Sequence, residues 1–295
     1  MTRLIYCPDQ IIVKAELDNP GGSHKYRAAR HIIEKAIENR EIIPGKTTVI
    51  EKTGGNFGFG LIVACNQCNV DIDLAVGLSF SQRKRDLLEF FGARLIGKKM
   101  LADGLTPKEI VQYHLDQQES LGKEYFYTDQ FQNSQGVDAH QKQTGVELVN
   151  QLHQQGIKDK IVFVSCAGTG ASFTGITLAL RNAGFDVCTI LVEPAGCDMR
   201  ANIFSDHRIE GASVGVVAPF LDWNLIDDTK TVSLEELFIA QRWFWKYTGI
   251  FIGNSSAATI AVARNVRLNN HFKDVPIVTL AYDSGLWYED YLLAK

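Results

Sequence analysis

Short apolar runs alternate with amphipathic stretches along most of this chain. Gln10–Leu17 is rich in β-branched residues and predicts a strand, and Tyr26–Arg40 carries its apolar residues at helical spacing. Further strands are predicted at Thr47–Glu51, Asp73–Gly77, Ala93–Ile96, Lys160–Ser165, Thr189–Val192 and Pro276–Ala281. Between them the pattern predicts helices around Phe59–Cys65 and over Gln82–Phe91, Thr106–Leu121, His140–Gln155, Phe173–Asn182 and Ala257–Leu268. Alternation of this kind predicts an α/β protein with mainly parallel sheets flanked by helices. Two lobes are expected, an N-terminal one over residues 1–138 and a C-terminal one over 139–295, with the first segment free to pack against the second lobe.

Composition narrows the class. A hydrophobic fraction of 45% and a charged fraction of 22% are those of an ordinary globular protein. A net charge of -4 argues against a nucleic-acid binder, which needs a concentrated basic surface. The longest basic cluster, Arg83-Lys84-Arg85, reads as a solvated helix face. Neither a bilayer-spanning run nor a signal-peptide pattern is found, so the expected location is cytoplasmic, away from membranes. Six cysteines in mostly apolar surroundings fit that compartment. Cys65 and Cys68 form one C-x-x-C, but no second pair completes a zinc site, and packing is the expected role.

Candidate chemistry gathers in turns. Asn19-Pro20-Gly21-Gly22-Ser23-His24-Lys25 puts an amine at a predicted helix start, where positive charge is disfavoured. A lysine whose charged form is disfavoured can serve as a nucleophile toward a carbonyl, the alternative being a solvated surface lysine. Cys166-Ala167-Gly168-Thr169-Gly170-Ala171-Ser172 joins an apolar strand to a helix, and its free amides and hydroxyls suit a phosphate. It is not a Walker loop, because no Gly-Lys-Ser/Thr follows. A dinucleotide reading survives through Glu193, at the end of the next strand, where a ribose-binding acid would lie. Ser255 and Ser256 follow Gly253-Asn254 at the start of the last helix, where a serine also serves as an ordinary N-cap.

In order and spacing these segments resemble the fold-type II pyridoxal-phosphate enzymes, the architecture of the tryptophan synthase β-subunit, and most closely the cysteine synthase and cystathionine β-synthase family. The resemblance spans nearly the whole chain. It implies that Lys25 carries pyridoxal phosphate as a Schiff base and later acts as general base. It identifies Thr53–Gly58 as the family's asparagine loop, with Asn56 bonding the cofactor's 3′-oxygen. Thr53, Gly54, Gly55 and Phe57 then belong to the substrate side of the loop. It further implies that Gln130 holds the substrate carboxylate, that Gly168, Thr169, Gly170, Ala171 and Ser172 cradle the phosphate, and that Ser255 meets the pyridine nitrogen. Gly211 stands in a segment like the family's substrate-facing turn, and Asp283-Ser284-Gly285 matches a late motif.

Departures from the family are as informative as matches. Gly54 stands where a serine is common and Phe57 where a threonine is, which changes the carboxylate pocket. His24 and Tyr26 flank the lysine where an apolar residue and an aspartate often do, and a histidine before the lysine also occurs in the tryptophan synthase β-subunit. The function implied is β-replacement on an activated L-serine derivative such as O-acetylserine, by sulfide or another nucleophile. The alternatives are β-elimination, as in a serine or threonine dehydratase or a cysteine desulfhydrase, and a non-catalytic, cofactor-binding partner protein. The resemblance also implies a homodimer, a small amino-acid substrate and a serine acetyltransferase-type partner.

Overall fold

The computed structural model describes residues 1–268 and 272–288. In chain order its elements are β1 (Leu4–Cys7), β2 (Ile11–Lys14), α1 (Lys25–Glu38), β3 (Thr47–Glu51), α2 (Asn56–Gln67), β4 (Asp71–Leu74), α3 (Gln82–Phe90) and β5 (Arg94–Leu95). There follow α4 (Lys98–Ala102), α5 (Pro107–Asp116), β6 (Glu124–Tyr127), α6 (Gln135–Ala139), α7 (Val146–Gln154), β7 (Lys160–Cys166) and α8 (Ala171–Asn182). The chain continues through β8 (Asp186–Pro194), β9 (Asp228–Val232), α9 (Leu234–Thr248), α10 (Asn254–Arg267) and β10 (Ile277–Leu280).

Contacts divide the chain into two units, Pro20–Gly136 and a larger one in which Met1–Asn19 joins the residues from Val137 onward. The larger unit holds a six-stranded sheet in the order β1-β2-β10-β7-β8-β9. All its pairings are parallel except the N-terminal hairpin of β1 and β2. Strands β7 and β8 are near-continuous apolar runs because helices cover both faces of such a sheet, leaving Phe163, Val164, Ile190 and Leu191 at most 1% exposed. The smaller unit holds a four-stranded parallel sheet, β5-β4-β3-β6, with Ile50, Ala75 and Ile110 in its core.

Several elements depart from the expected bounds for physical reasons. The first predicted strand ends at Lys14, and Glu16–Asp18 turn as a single 3-10 turn. Lys14 is wholly buried, donating from Nζ to Thr2 O at 2.9 Å, Glu147 Oε2 at 3.0 Å and Gln151 Oε1 at 2.9 Å. Glu16, also wholly buried, accepts from Thr2 Oγ1 at 2.8 Å and Asn19 Nδ2 at 2.9 Å. This polar network fastens the hairpin to α7 and holds Asn19, the residue that leads into the lysine turn. The helix expected over His140–Gln155 widens to π-type turns at His140–Gly145. There α8 approaches closely: a Cβ on Gly175 would lie 2.6 Å from Val137 O and 2.8 Å from Gln141 N. Helix α9 lies outside the predicted set, although Ser233 and Glu236 form a capping box at its start.

Candidate active site

In the smaller unit the lysine turn is shaped by glycine. Gly21 and Gly22 adopt φ of +72° and +73°, a region that side chains rarely enter. Lys25 is the first residue of α1, half-buried, and no acidic residue occupies that helix's first turn. The turn rests on α2. A Cβ at Gly21 would lie 3.3 Å from Phe59 O, and one at Gly60 would lie 3.0 Å from both N and Cα of Tyr26. Two residues before Lys25, Ser23 is fully buried, and its Oγ finds no hydrogen-bond partner among the described residues.

The glycine-asparagine loop joins β3 to α2. Gly55 occupies the N-cap position without any side-chain cap, and Asn56 is the first helical residue. Thr53 Oγ1 accepts from Gly55 N at 3.4 Å, and Gly58 N donates to Gly55 O at 2.9 Å. At Gly54 there is no room for a side chain: a Cβ would lie 2.5 Å from Val76 Cγ1 and 2.7 Å from Phe80 Cδ2. The departure from serine at this position therefore has a partner, the Phe80 ring. Phe57 is 3% exposed and packs into the core.

Glu51 ties Gln130 to the end of β3, the strand that leads into the loop. Its buried carboxylate accepts from Thr128 Oγ1 at 2.6 Å and from Gln130 N at 3.3 Å through Oε2, and from Lys52 N at 2.9 Å through Oε1. Burial raises its pKa against these three donors. Thus Lys25, Thr53–Phe57 and Gln130 belong to one unit, linked by α2 and by Glu51.

In the larger unit the turn after β7 has the build of an anion cradle. Gly170 (φ +85°) is the N-cap of α8, with no side-chain cap and no acid in the first turn, so the opening amides have no intrahelical acceptor. Ala171 opens the helix, and Ser172, half-buried, follows. Thr169 is 5% exposed, and its Oγ1 accepts from Ala171 N at 3.3 Å. Both glycines are compelled by neighbouring main chain: a Cβ on Gly168 would strike Gly211 O, and one on Gly170 would lie 2.5 Å from Leu221 N. Gly211 itself (φ +84°) is held over the turn by Ser213 N, which donates to Ala167 O at 3.0 Å.

Ser255 lies near this turn in the fold. Strands β7 and β10 are neighbours, and Tyr282 OH, just past β10, meets Ser165 Oγ at 2.7 Å and accepts from Cys166 N at 3.2 Å. Tyr282 N in turn donates to Ser256 Oγ at 2.8 Å. The N-cap of α10 is Gly253 and no side chain caps it, so neither serine is the helix cap that the sequence allowed. Ser256 holds β10, whereas the 7%-exposed Ser255 makes no side-chain hydrogen bond among the described residues. The late motif braces this turn: Gly253 N donates to Asp283 O at 3.0 Å, and Gly285 N to Phe251 O at 2.9 Å. Glu193 is 3% exposed and accepts from Met199 N at 2.7 Å, an internal role at odds with a ribose contact.

Within its own unit, the amine at the start of α1 suits an aldehyde, and the glycine cradle at the start of α8 suits a phosphate. The family model of the pyridoxal-phosphate dependent enzymes matches residues 2–283, and the chain belongs to that family. Within it the chain is similar to the cysteine synthases, being 32% identical over 291 residues to the cysteine synthase of Buchnera aphidicola subsp. Schizaphis graminum, across 94% of this chain and 87% of that protein. Among solved structures, a hydrogen sulfide-producing enzyme from Fusobacterium nucleatum superposes with a TM-score of 0.84 at 30% identity, over 97% of this chain and 94% of that one. An O-acetylserine dependent cystathionine beta-synthase from Helicobacter pylori gives 0.79 at 26% identity, over 100% and 94%. The cofactor is pyridoxal phosphate, and the residues present fit it: the cradle of Gly168–Ser172 excludes side chains where main-chain amides are needed, and Ser255 keeps a neutral hydroxyl uncommitted.

Glu51, Gly60 and Phe80 are absent from the residues singled out in the sequence. Signals for the first two existed, an acid closing an apolar strand just before the loop and a glycine inside a helix. Phe80 gave none, because its relation to Gly54 is purely spatial.

Proposed function

We propose that the protein replaces the β-substituent of an activated L-serine such as O-acetylserine with sulfide or another nucleophile. The observation that carries this reading is Lys25 at the start of α1, seated by Gly21 and Gly60 against the helix that Asn56 opens. Pyridoxal phosphate, when bound, supplies an electron sink for charge that develops at the substrate's Cα. Lys25 would hold that cofactor and, with its amine free, would take the substrate's Cα proton on Nζ as general base. Asn56 orients the cofactor ring, and Gly168, Thr169, Gly170, Ala171 and Ser172 bind its phosphate. Ser255 offers the ring nitrogen a neutral hydroxyl, which leaves that nitrogen less protonated than a carboxylate would and favours β-substitution over transamination.

In the same reading Thr53, Gly54, Gly55, Phe57 and Gln130 serve substrate binding, as does Gly211. The same reading takes in a cytoplasmic homodimer and a serine acetyltransferase-type partner; among the described residues no helix is long and apolar enough to cross a membrane.

Elimination to a keto acid is the second reading, and the likeness to a hydrogen sulfide-producing enzyme supports it. A single assay separates the two. With O-acetylserine and sulfide, replacement yields cysteine without keto acid; pyruvate release from O-acetylserine alone, undiminished by sulfide, would overturn replacement.

A further inference from the structure

The sequence reads Arg83-Lys84-Arg85 as a solvated face, but Arg85 departs from it. Its Nη2 donates to Gly77 O at 2.9 Å and to Phe80 O at 3.1 Å, so it braces the loop between β4 and α3. That loop is the one whose Phe80 ring closes over Gly54. Arg85 also lines a cavity of about 150 Å³, together with apolar residues that include Val76, Leu95, Ile96 and Leu101 and the polar Gln82, Glu89 and Lys98. Glu89 and Lys98 satisfy each other, at 2.7 Å. The Nε of Arg85 is buried without a hydrogen-bond partner among the described residues. A buried guanidinium donor left unmatched costs free energy that an acceptor would recover.

An apolar lining beside the guanidinium of Arg85 suits an anion with an apolar end once Nε, closed to solvent in this structure, is uncovered. A cavity of this volume accepts about as many non-hydrogen atoms as benzene has. Guanidinium binds carboxylate through two parallel hydrogen bonds, here along the edge formed by Nε and Nη2. Nη2 has two hydrogens, and both are engaged by the loop. A carboxylate on that edge must therefore take one from Gly77 O or Phe80 O.

We propose that this cavity binds a small aliphatic carboxylate, and that binding loosens the Gly77–Phe80 loop from Arg85 and so from Gly54. The coupling follows from linkage: a ligand that binds better when a loop carbonyl is released shifts the loop toward release. Because Gly54 belongs to the proposed substrate loop, an effect on turnover rests on the reaction proposed above, whereas binding does not.

Calorimetric titration of the cofactor-loaded full chain with 3-methylbutanoate tests the site, with L-leucine to ask whether an added ammonium is accepted and 3-methylbutan-1-ol as the uncharged control. The site predicts saturable binding of one or both carboxylates, none of the alcohol, and affinity about tenfold or more weaker in Arg85→Gln. Leu95→Phe fills the cavity while keeping Arg85 and should abolish binding without disturbing the brace. Hydrogen exchange read on the peptide holding residues 77–80 should quicken on binding, the Phe80 amide, bonded to Gly77 O at 3.2 Å, included. No binding of either carboxylate, binding indifferent to both substitutions, or binding that leaves exchange of the loop unchanged would overturn the proposal.

Discussion

Gly60 sets the main-chain position of Lys25: a Cβ on Gly60 would lie 3.2 Å from the Lys25 carbonyl carbon and 3.0 Å from Tyr26 N. Both neighbours are backbone, so neither can swing aside. Gly60→Ala is expected to cost about 1–3 kcal/mol by overpacking and to lower the cofactor-linked visible absorbance per chain. Gly58→Ala is the control, because its nearest atoms are side-chain methyls of Thr53 and Leu88 at 3.3 and 3.4 Å. Urea unfolding and the absorption spectrum of each variant check the pair; equal effects would detach the lysine's position from Gly60.

Restoring the serine common in the family at Gly54 should fail in this chain. Gly54→Ser would drive its Cβ into Val76 and Phe80, and the expected loss is again about 1–3 kcal/mol. Phe80→Ala removes one obstruction, so the double variant should recover part of that loss, a coupling measured by a double-mutant cycle. Additive costs would mean that Phe80 does not shape the loop.

What the sequence reveals and what it hides divide along the range of the interactions. Thr47–Glu51 forms as predicted and α8 begins within two residues of its expected start, since strand propensity and glycine turns act locally. The glycine turns before α1 and after β7 are legible for the same reason, as both need glycine at fixed offsets. The pairing of β2 with β10 joins opposite ends of the chain, and no local pattern encodes it. Arg85 reads as a surface charge because its acceptors are main-chain carbonyls, which any residue supplies.

Glu51 offers a pH test. Burial raises its pKa from an ordinary 4.5, so proton binding is tighter in the folded chain. Its contribution to stability is fully present below 4.5 and is lost as pH rises through the raised value. Relative to Glu51→Gln, which cannot ionise, the wild type should lose stability on going from acid to neutral pH. Glu51→Ala should be less stable throughout, by about 1–3 kcal/mol, because Thr128 and the Gln130 amide lose their acceptor. Denaturant unfolding across that range decides it; parallel curves for wild type and Glu51→Gln would refute the buried, proton-binding carboxylate.

Everything proposed for the reaction depends on Lys25 as the residue that carries the cofactor. The direct measurement is borohydride reduction of the pyridoxal-phosphate-loaded protein, followed by peptide mapping by mass spectrometry. The phosphopyridoxyl group is expected on the peptide containing Lys25, and it should be lost, with the visible band and all turnover, in a folded Lys25→Ala variant. Label on another lysine, or normal turnover by Lys25→Ala, would contradict this.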